Sequence, residues 1–252
     1  MSINYIYKLH DKNKMTISLD IYNFPVYYIS FESNLTLEAD IKKRGWNNVN
    51  HFQAVKGKAR SELEWFKEGV ISLRTYTELI KKDFHTHDSI MTLGAIGCYM
   101  SHLGIWNIAV QKGYPYVIVM EDDINIKRKL SDSELSKISK ALDSPKSLYV
   151  SAYDFHPILG HFYIARLDTC KIMIENALPA EMQVDVYMNS LSVAGLITKT
   201  VFLTYTQAMH VSSVQSLCLK CMLPSDNVKI LLILTLLCVI VVFLTLKYKK
   251  CF

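Results

Sequence analysis

The sequence predicts an α/β fold with a mostly parallel central sheet, on three observations. Strand-like and helix-like segments alternate from residue 25 to residue 205, the pattern of strands joined by helical crossovers. One run of strong strand character, Tyr116-Val117-Ile118-Val119-Met120, leads directly into three carboxylates, Glu121-Asp122-Asp123. At 252 residues the chain can hold one domain with a substantial core and some appendages. No internal repeat or low-complexity tract is visible.

Taken in order, residues 1–24 mix charge and aromatics and lack the long apolar stretch and small-residue cleavage site of a signal peptide. Residues 25–31 read as a buried strand, 33–44 as a helix ending at Gly45, and 48–55 as a second strand. The stretch 58–82 reads as mostly helical, with Trp65, Phe66, Val70, Leu73, Leu79 and Ile80 on its apolar face. A loop follows at 84–88; its His85, His87 and Asp88 have ligand chemistry, but such loops are more often solvated polar surface. From Gly97 the spacing of Met100, Leu103, Trp106 and Ala109 predicts a helix that Gly113 closes, and Tyr114-Pro115 turns the chain into the acidic strand. Beyond it come a polar helix over 131–142, strands over 147–153 and 162–166, a helix with Asp168 as N-cap running to Ala177, and a last strand over 196–205.

The acidic strand carries the chemistry. Side chains two apart on an extended backbone share a face, so Glu121 and Asp123 are expected to point together and Asp122 away. Ligands gather beyond the carboxyl ends of strands in such sheets. Two convergent carboxylates suit Mn²⁺ or Mg²⁺, which accept oxygen ligands and keep open positions for phosphate. The competing interpretation is a solvated turn. Ser101 and His102 are expected in the first turns of the helix from Gly97, where backbone N–H groups favour anions. A structural histidine is the competing assignment for His102.

The order G-x-x-G-C-x-x-S-H-x-x-x-W over 94–106, a short loop and a hydrophobic strand ending in E-D-D resembles glycosyltransferase family 25. That family includes bacterial lipopolysaccharide galactosyltransferases and collagen galactosyltransferases. The resemblance extends to Val26-Tyr27-Tyr28-Ile29-Ser30-Phe31, similar to the family's first, nucleotide-holding strand. It extends also to Gly160-His161-Phe162-Tyr163-Ile164-Ala165-Arg166, the helix after it, and Leu178-Pro179 to Asp185. Two departures stand out: Asn34-Leu35-Thr36 replaces an arginine usual after the first strand, and Pro179 and Asp185 lie farther apart than usual.

The resemblance implies a single GT-A-like nucleotide-sugar-binding domain over 25–215. It implies inverting transfer of a hexose, galactose or glucose, from a UDP-sugar to a hydroxyl of a glycan, protein or lipid-linked acceptor. Tyr28, Ile29, Ser30, Gly97, Ser101, His102 and Asp122 are then the expected donor-binding residues. Asp123, with Glu121 or Asp122, would hold the metal that neutralises the departing diphosphate. Asp185 is the candidate base for the acceptor hydroxyl. His210, after the last expected strand, is a candidate third metal ligand, with a surface histidine as the competing assignment. Two other classes stay open: a catalytically silent sugar-binding or structural protein, and a metal-dependent phosphohydrolase, which would call for more clustered Asp and His than are found.

The net charge of +5 is modest and its basic residues are scattered, apart from 42–44, 127–129 and 247–250, so no nucleic-acid partner is expected. Most of the 15 tyrosines are expected to serve packing. Cys98 and Cys170 are expected to be reduced core residues, and Cys218-Leu219-Lys220-Cys221 lacks the second ligand pair a zinc site needs.

Ile230 to Leu246 is a run of about 17 uncharged, almost wholly apolar residues between Lys229 and Lys247. At about 1.5 Å per residue it reaches ~26 Å, enough for a thin bilayer. Residues 216–229 are then a neck and 247–252 a basic tail, with Cys251 a candidate for palmitoylation. The expectation is a C-terminally anchored, single-pass protein of an endoplasmic-reticulum-like membrane. The missing signal peptide favours a domain facing the cytosol. The three tail lysines, the dilysine-like ending and the sequon at Asn34 favour the opposite side.

Overall fold

The computed structural model describes residues 20–84, 88–126, 128–152, 161–203 and 206–208. The expected strands form one six-stranded sheet. In chain order they are β1 (Val26–Ser30), β2 (Val49–Gln53), β3 (Tyr116–Glu121), β5 (Ser147–Ala152), β6 (Phe162–Arg166) and β7 (Thr198–Leu203), with a short β4 (Ile124–Ile126) after β3. Their order across the sheet is β2-β1-β3-β6-β5-β7. β1 runs parallel to both β2 and β3, and β5 parallel to β7.

β6 runs antiparallel to both its neighbours, β3 and β5, so the sheet is mixed, with three of its five pairings parallel and β6 the one reversed strand. The cause is the length of chain between β5 and β6: residues 153–161 are too few for a crossover, which takes a dozen or more.

Alternation along the strands divides the core. Val117, Val119, Tyr27, Ile29, Tyr163 and Ala165 face one side of the sheet, where they pack with Ile96, Tyr99, Leu103 and Trp106. Ile118, Met120, Val26, Tyr28, Phe162 and Ile164 face the other, against Trp46, Ile41, Ile138 and Leu142. The first side is covered by α4 (Leu93–Lys112), with α6 (Leu167–Glu175) and α7 (Val184–Val193) packed on it; α1 (Leu35–Lys43) and α5 (Asp132–Leu142) supply the second.

α4 begins at Leu93, four residues before the expected start, because Thr92 Oγ1 caps it by accepting from the Ala95 N–H at 3.1 Å. Gly94 and Gly97 give the sequence there a loop-like look. Gly97 is needed for packing: a Cβ on it would stand 2.3 Å from the Val55 carbonyl oxygen. Ser101 and His102 therefore lie well inside the helix, away from its anion-favouring end. α4 is also long and apolar enough to cross a membrane by composition, and its burial against the sheet accounts for that character.

The expected helix over 58–82 is two helices, α2 (Glu62–Lys67) and α3 (Leu73–Lys81). Gly69 breaks it with φ 71°, and Ile71 forms a bridge to Ala180. Ser131 starts α5 with the capping box it shares with Glu134. α6 takes Arg166, not Asp168, at its N-cap position; Asp168 sits in the first turn, accepting from the Thr169 N–H and, across the chain, from the Lys146 N–H.

α7 and a short pair formed by β4 with β8 (Thr206–Ala208), antiparallel, were not foreseen. His85, His87, His210, and the neck, apolar run and basic tail lie outside the described residues.

Candidate active site

β3 delivers its last residue, Glu121, beside the end of β1, where it stands in register with Ile29. On the other side the Glu121 N–H donates to the His161 carbonyl at 3.0 Å, extending the β3–β6 pairing by one residue. His161 and Tyr163 are two apart on this chain segment and share a face, the one that α4 covers. α4 brings Cys98, His102 and Trp106 to the same place, since residues four apart share a helix face.

The Glu121 carboxylate meets a histidine on each oxygen. Oε1 lies 3.2 Å from His102 Nε2, and Oε2 lies 2.9 Å from His161 Nδ1. Cys98 Sγ stands 4.0 Å from Oε1. Behind His102, its Nδ1 is 2.8 Å from Tyr163 Oη, which also accepts from the Trp106 indole N–H at 2.8 Å. His102 is wholly buried.

Asp123, in the turn after β3, places Oδ1 3.2 Å from His161 Nδ1. That nitrogen's single hydrogen is directed at Glu121, and Asp123 Oδ1 is buried without a hydrogen bond. Asp122 is exposed.

Burial disfavours the charge on Glu121, but hydrogen bonds from His102 and His161 outweigh it and hold the carboxyl well below its ordinary range. Burial likewise disfavours charge on His161, yet the contacts with Asp123 and Glu121 prevail and push it up to about 10. Partial desolvation of its otherwise exposed carboxyl, then the Asp123 and Glu121 charges, raises Asp122.

Asp185 lies in the first turn of α7, where its Oδ1 accepts from the Val186 N–H at 2.8 Å. Burial, and after it the Glu121 charge, raises its carboxyl. The strap before α7 is pinned from two sides. The Ala180 N–H donates to the Val70 carbonyl at 2.8 Å, Thr75 Oγ1 to the Ala180 carbonyl at 3.0 Å, and the Gln183 N–H to the Asp88 carbonyl at 3.0 Å. Lys199 of β7 donates to Asn189 Oδ1 at 3.3 Å; burial lowers it and the Asp185 charge partly restores it.

Glu121, Asp123 and His161 offer three ligand atoms within 4.8 Å of one another. Two carboxylates and an imidazole suit Mn²⁺ or Mg²⁺, and the Asp123 oxygen, which has no hydrogen bond, is the kind of buried acceptor a cation would satisfy. The residues fit a divalent ion.

The other expected donor residues fall in two groups. Tyr28 and Ile29 are core residues on opposite faces of the sheet, Tyr28 reaching Ser33 and the Asn34 N–H with its hydroxyl. Ser30 closes β1 and donates to the Glu32 carbonyl at 2.6 Å. Gly97 and Ser101 belong to the seam between α4 and residues 55–57: Ser101 Oγ donates to the Gly97 carbonyl and accepts from the Val55 N–H. His161 was not among the expected site residues. Its signal was present in Gly160-His161-Phe162-Tyr163, where the two-residue spacing puts both polar rings on one face.

The family described as Glycosyltransferase family 25 (LPS biosynthesis protein) matches residues 24–188, from the start of β1 to α7. A Glycosyltransferase 25 family member of Anopheles gambiae is 39% identical over 77 residues, 31% of this chain and 12% of that protein. A protein of the same description from Drosophila melanogaster is 38% identical over 76 residues, 30% and 11% of the two chains. Procollagen galactosyltransferase 1 of Danio rerio is 32% identical over 94 residues, 36% and 15%. The aligned stretches thus span a small part of each of these relatives.

Proposed function

We infer the reaction from one premise: this chain belongs to glycosyltransferase family 25. It is a hexosyltransferase that moves galactose or glucose from a UDP-sugar to a hydroxyl acceptor, with inversion at the sugar carbon. The observation that carries this reading is the meeting of Glu121, Asp123 and His161 at the end of β3, with one Asp123 oxygen buried, in ion-pair reach of His161 and without a hydrogen bond.

A bound Mn²⁺ or Mg²⁺ would supply charge neutralisation for the departing diphosphate. Glu121, Asp123 and His161 are the residues that would hold it. Asp185 takes the proton of the acceptor hydroxyl; its raised carboxyl makes it a stronger base than a solvated aspartate. The name of the zebrafish relative makes procollagen one acceptor to test, beside glycans and lipid-linked sugars. The apolar run 230–246 anchors the enzyme to a membrane, a reading that rests on its composition and flanking lysines.

A panel of UDP- and GDP-sugars, with Mn²⁺ and with chelator, tests the proposal. Metal-dependent consumption of UDP-galactose or UDP-glucose is the expected result; consumption of neither, under any metal, would overturn it.

A further inference from the structure

Trp106, Tyr163, His102 and Glu121 form a continuous chain of hydrogen bonds from the core to the rim of the site. The direction of each bond follows from its members. An indole N–H can only donate, so Tyr163 Oη accepts from Trp106. The phenol hydrogen is then available to His102 Nδ1 at 2.8 Å. That leaves the ring's hydrogen on Nε2, 3.2 Å from Glu121 Oε1. The opposite tautomer would set an imidazole lone pair against a carboxylate oxygen at that distance, which is repulsive.

We infer that His102 is a positioning residue: Tyr163 and Trp106 fix it in the Nε2–H tautomer, so that it holds Glu121 Oε1 and leaves Oε2 turned toward His161 and Asp123. His102 is fully buried and spends both ring nitrogens inside the protein, so it does not touch the donor. The same saturation leaves no nitrogen lone pair for a metal at the neighbouring Cys98, although Cys98, His102 and Glu121 also stand close together. A carboxylate free to turn would lose its orientation toward Asp123. Partners of this kind commonly change metal affinity or activity by about 10–100-fold when removed.

The effect on metal binding rests on the proposed donor site, whereas the tautomer does not. The experiment therefore has two arms. In the full chain labelled with ¹⁵N-histidine, long-range ¹H–¹⁵N correlation reads the His102 ring directly. A hydrogen on Nε2 alone, disturbed by Tyr163→Phe, is expected; a ring protonated on Nδ1 would overturn the inference.

The second arm measures Mn²⁺ binding by electron paramagnetic resonance in His102→Asn and His102→Gln. Asparagine reaches only toward Tyr163, and should weaken binding about 10–100-fold. Glutamine can place an N–H where Nε2 stood, and should restore most of the affinity. Equal losses in both variants, or none in either, would overturn the role. If the unaltered protein binds no Mn²⁺, the proposed donor site fails, and the His102 signal still decides this inference.

Discussion

The two oxygens of Glu121 face opposite kinds of surroundings. On the Oε1 side, His102, Tyr163 and Trp106 are buried and each polar atom has a partner. On the Oε2 side, His161 is shared between two carboxylates and Asp123 Oδ1 has no hydrogen bond. A saturated network specifies one arrangement and resists change. An unsaturated one leaves a buried acceptor that a ligand can satisfy. The difference separates the scaffold of the site from the part proposed to do chemistry, and it predicts different consequences for residues only a few ångströms apart.

Replacements on the open side should reduce activity and spare the fold. Asp185→Asn is expected to lower kcat about 10²–10⁴-fold, the usual loss for a general base, with little change in UDP affinity. A collapse of UDP binding in steady-state and binding assays would place Asp185 with the donor instead. Asp123→Asn, nearly isosteric, should cost roughly 10²–10³ in kcat, on the scale of losing one electrostatic stabiliser. Its melting temperature should fall only modestly, because Oδ1 has no hydrogen bond to lose and gives up only its ion-pair contact with His161. A variant that melts early yet turns over normally would invert the comparison.

Ser101→Ala tests the scaffold next to the closed side, the seam of α4 with residues 55–57. It leaves the Val55 N–H without its acceptor, at a cost of about 1–3 kcal/mol, read as a lower melting temperature. The KM for the UDP-sugar should stay unchanged. A raised KM with unaltered stability would move Ser101 to the donor site.

A separate expected effect is the pH dependence of stability in metal-free buffer. Glu121, lowered in the fold, contributes stability that is present above its unfolded pKa of about 4.3 and lost as pH falls. His161, raised to about 10, contributes stability that is complete below its unfolded pKa of about 6.5 and is lost as pH rises through about 10. Both contributions are complete only between about pH 4.3 and 6.5. Thermal melts should therefore weaken from about pH 6.5 toward about pH 10, and His161→Gln should flatten that decline. An alkaline decline of equal size in the variant would detach it from His161.

Much of this was legible in the chain itself. Uninterrupted β-branched and aromatic runs marked β1 and β3, Ser131 and Glu134 marked the start of α5, and Gly113 marked the end of α4. Glu121 and Asp123 do come together as expected, but Asp123 reaches Glu121 from the turn after β3 and not by strand alternation. What escaped depended on tertiary contacts. The start of α4 was hidden because Gly97 serves close packing with residues 55–57, and helical glycines read as loop. α7 carries Val184, Tyr187, Met188 and Leu191 on its buried face, a helical period that was there to be seen, but its start is set by the strap pinned to Val70 and Asp88. His161 needed β6 to be reversed and paired with β3 before its ring could meet Glu121, and the short connection before β6 was the overlooked clue.

Under the proposed function, the open side of Glu121 would hold a divalent ion that neutralises the diphosphate of the donor. Calorimetric titration of UDP, with and without Mn²⁺, into the unaltered protein and Asp123→Asn tests it most directly. UDP should bind the unaltered protein only when Mn²⁺ is present, and should bind the variant far more weakly although its fold is largely kept. UDP binding of equal strength without metal, or in the variant, would contradict it.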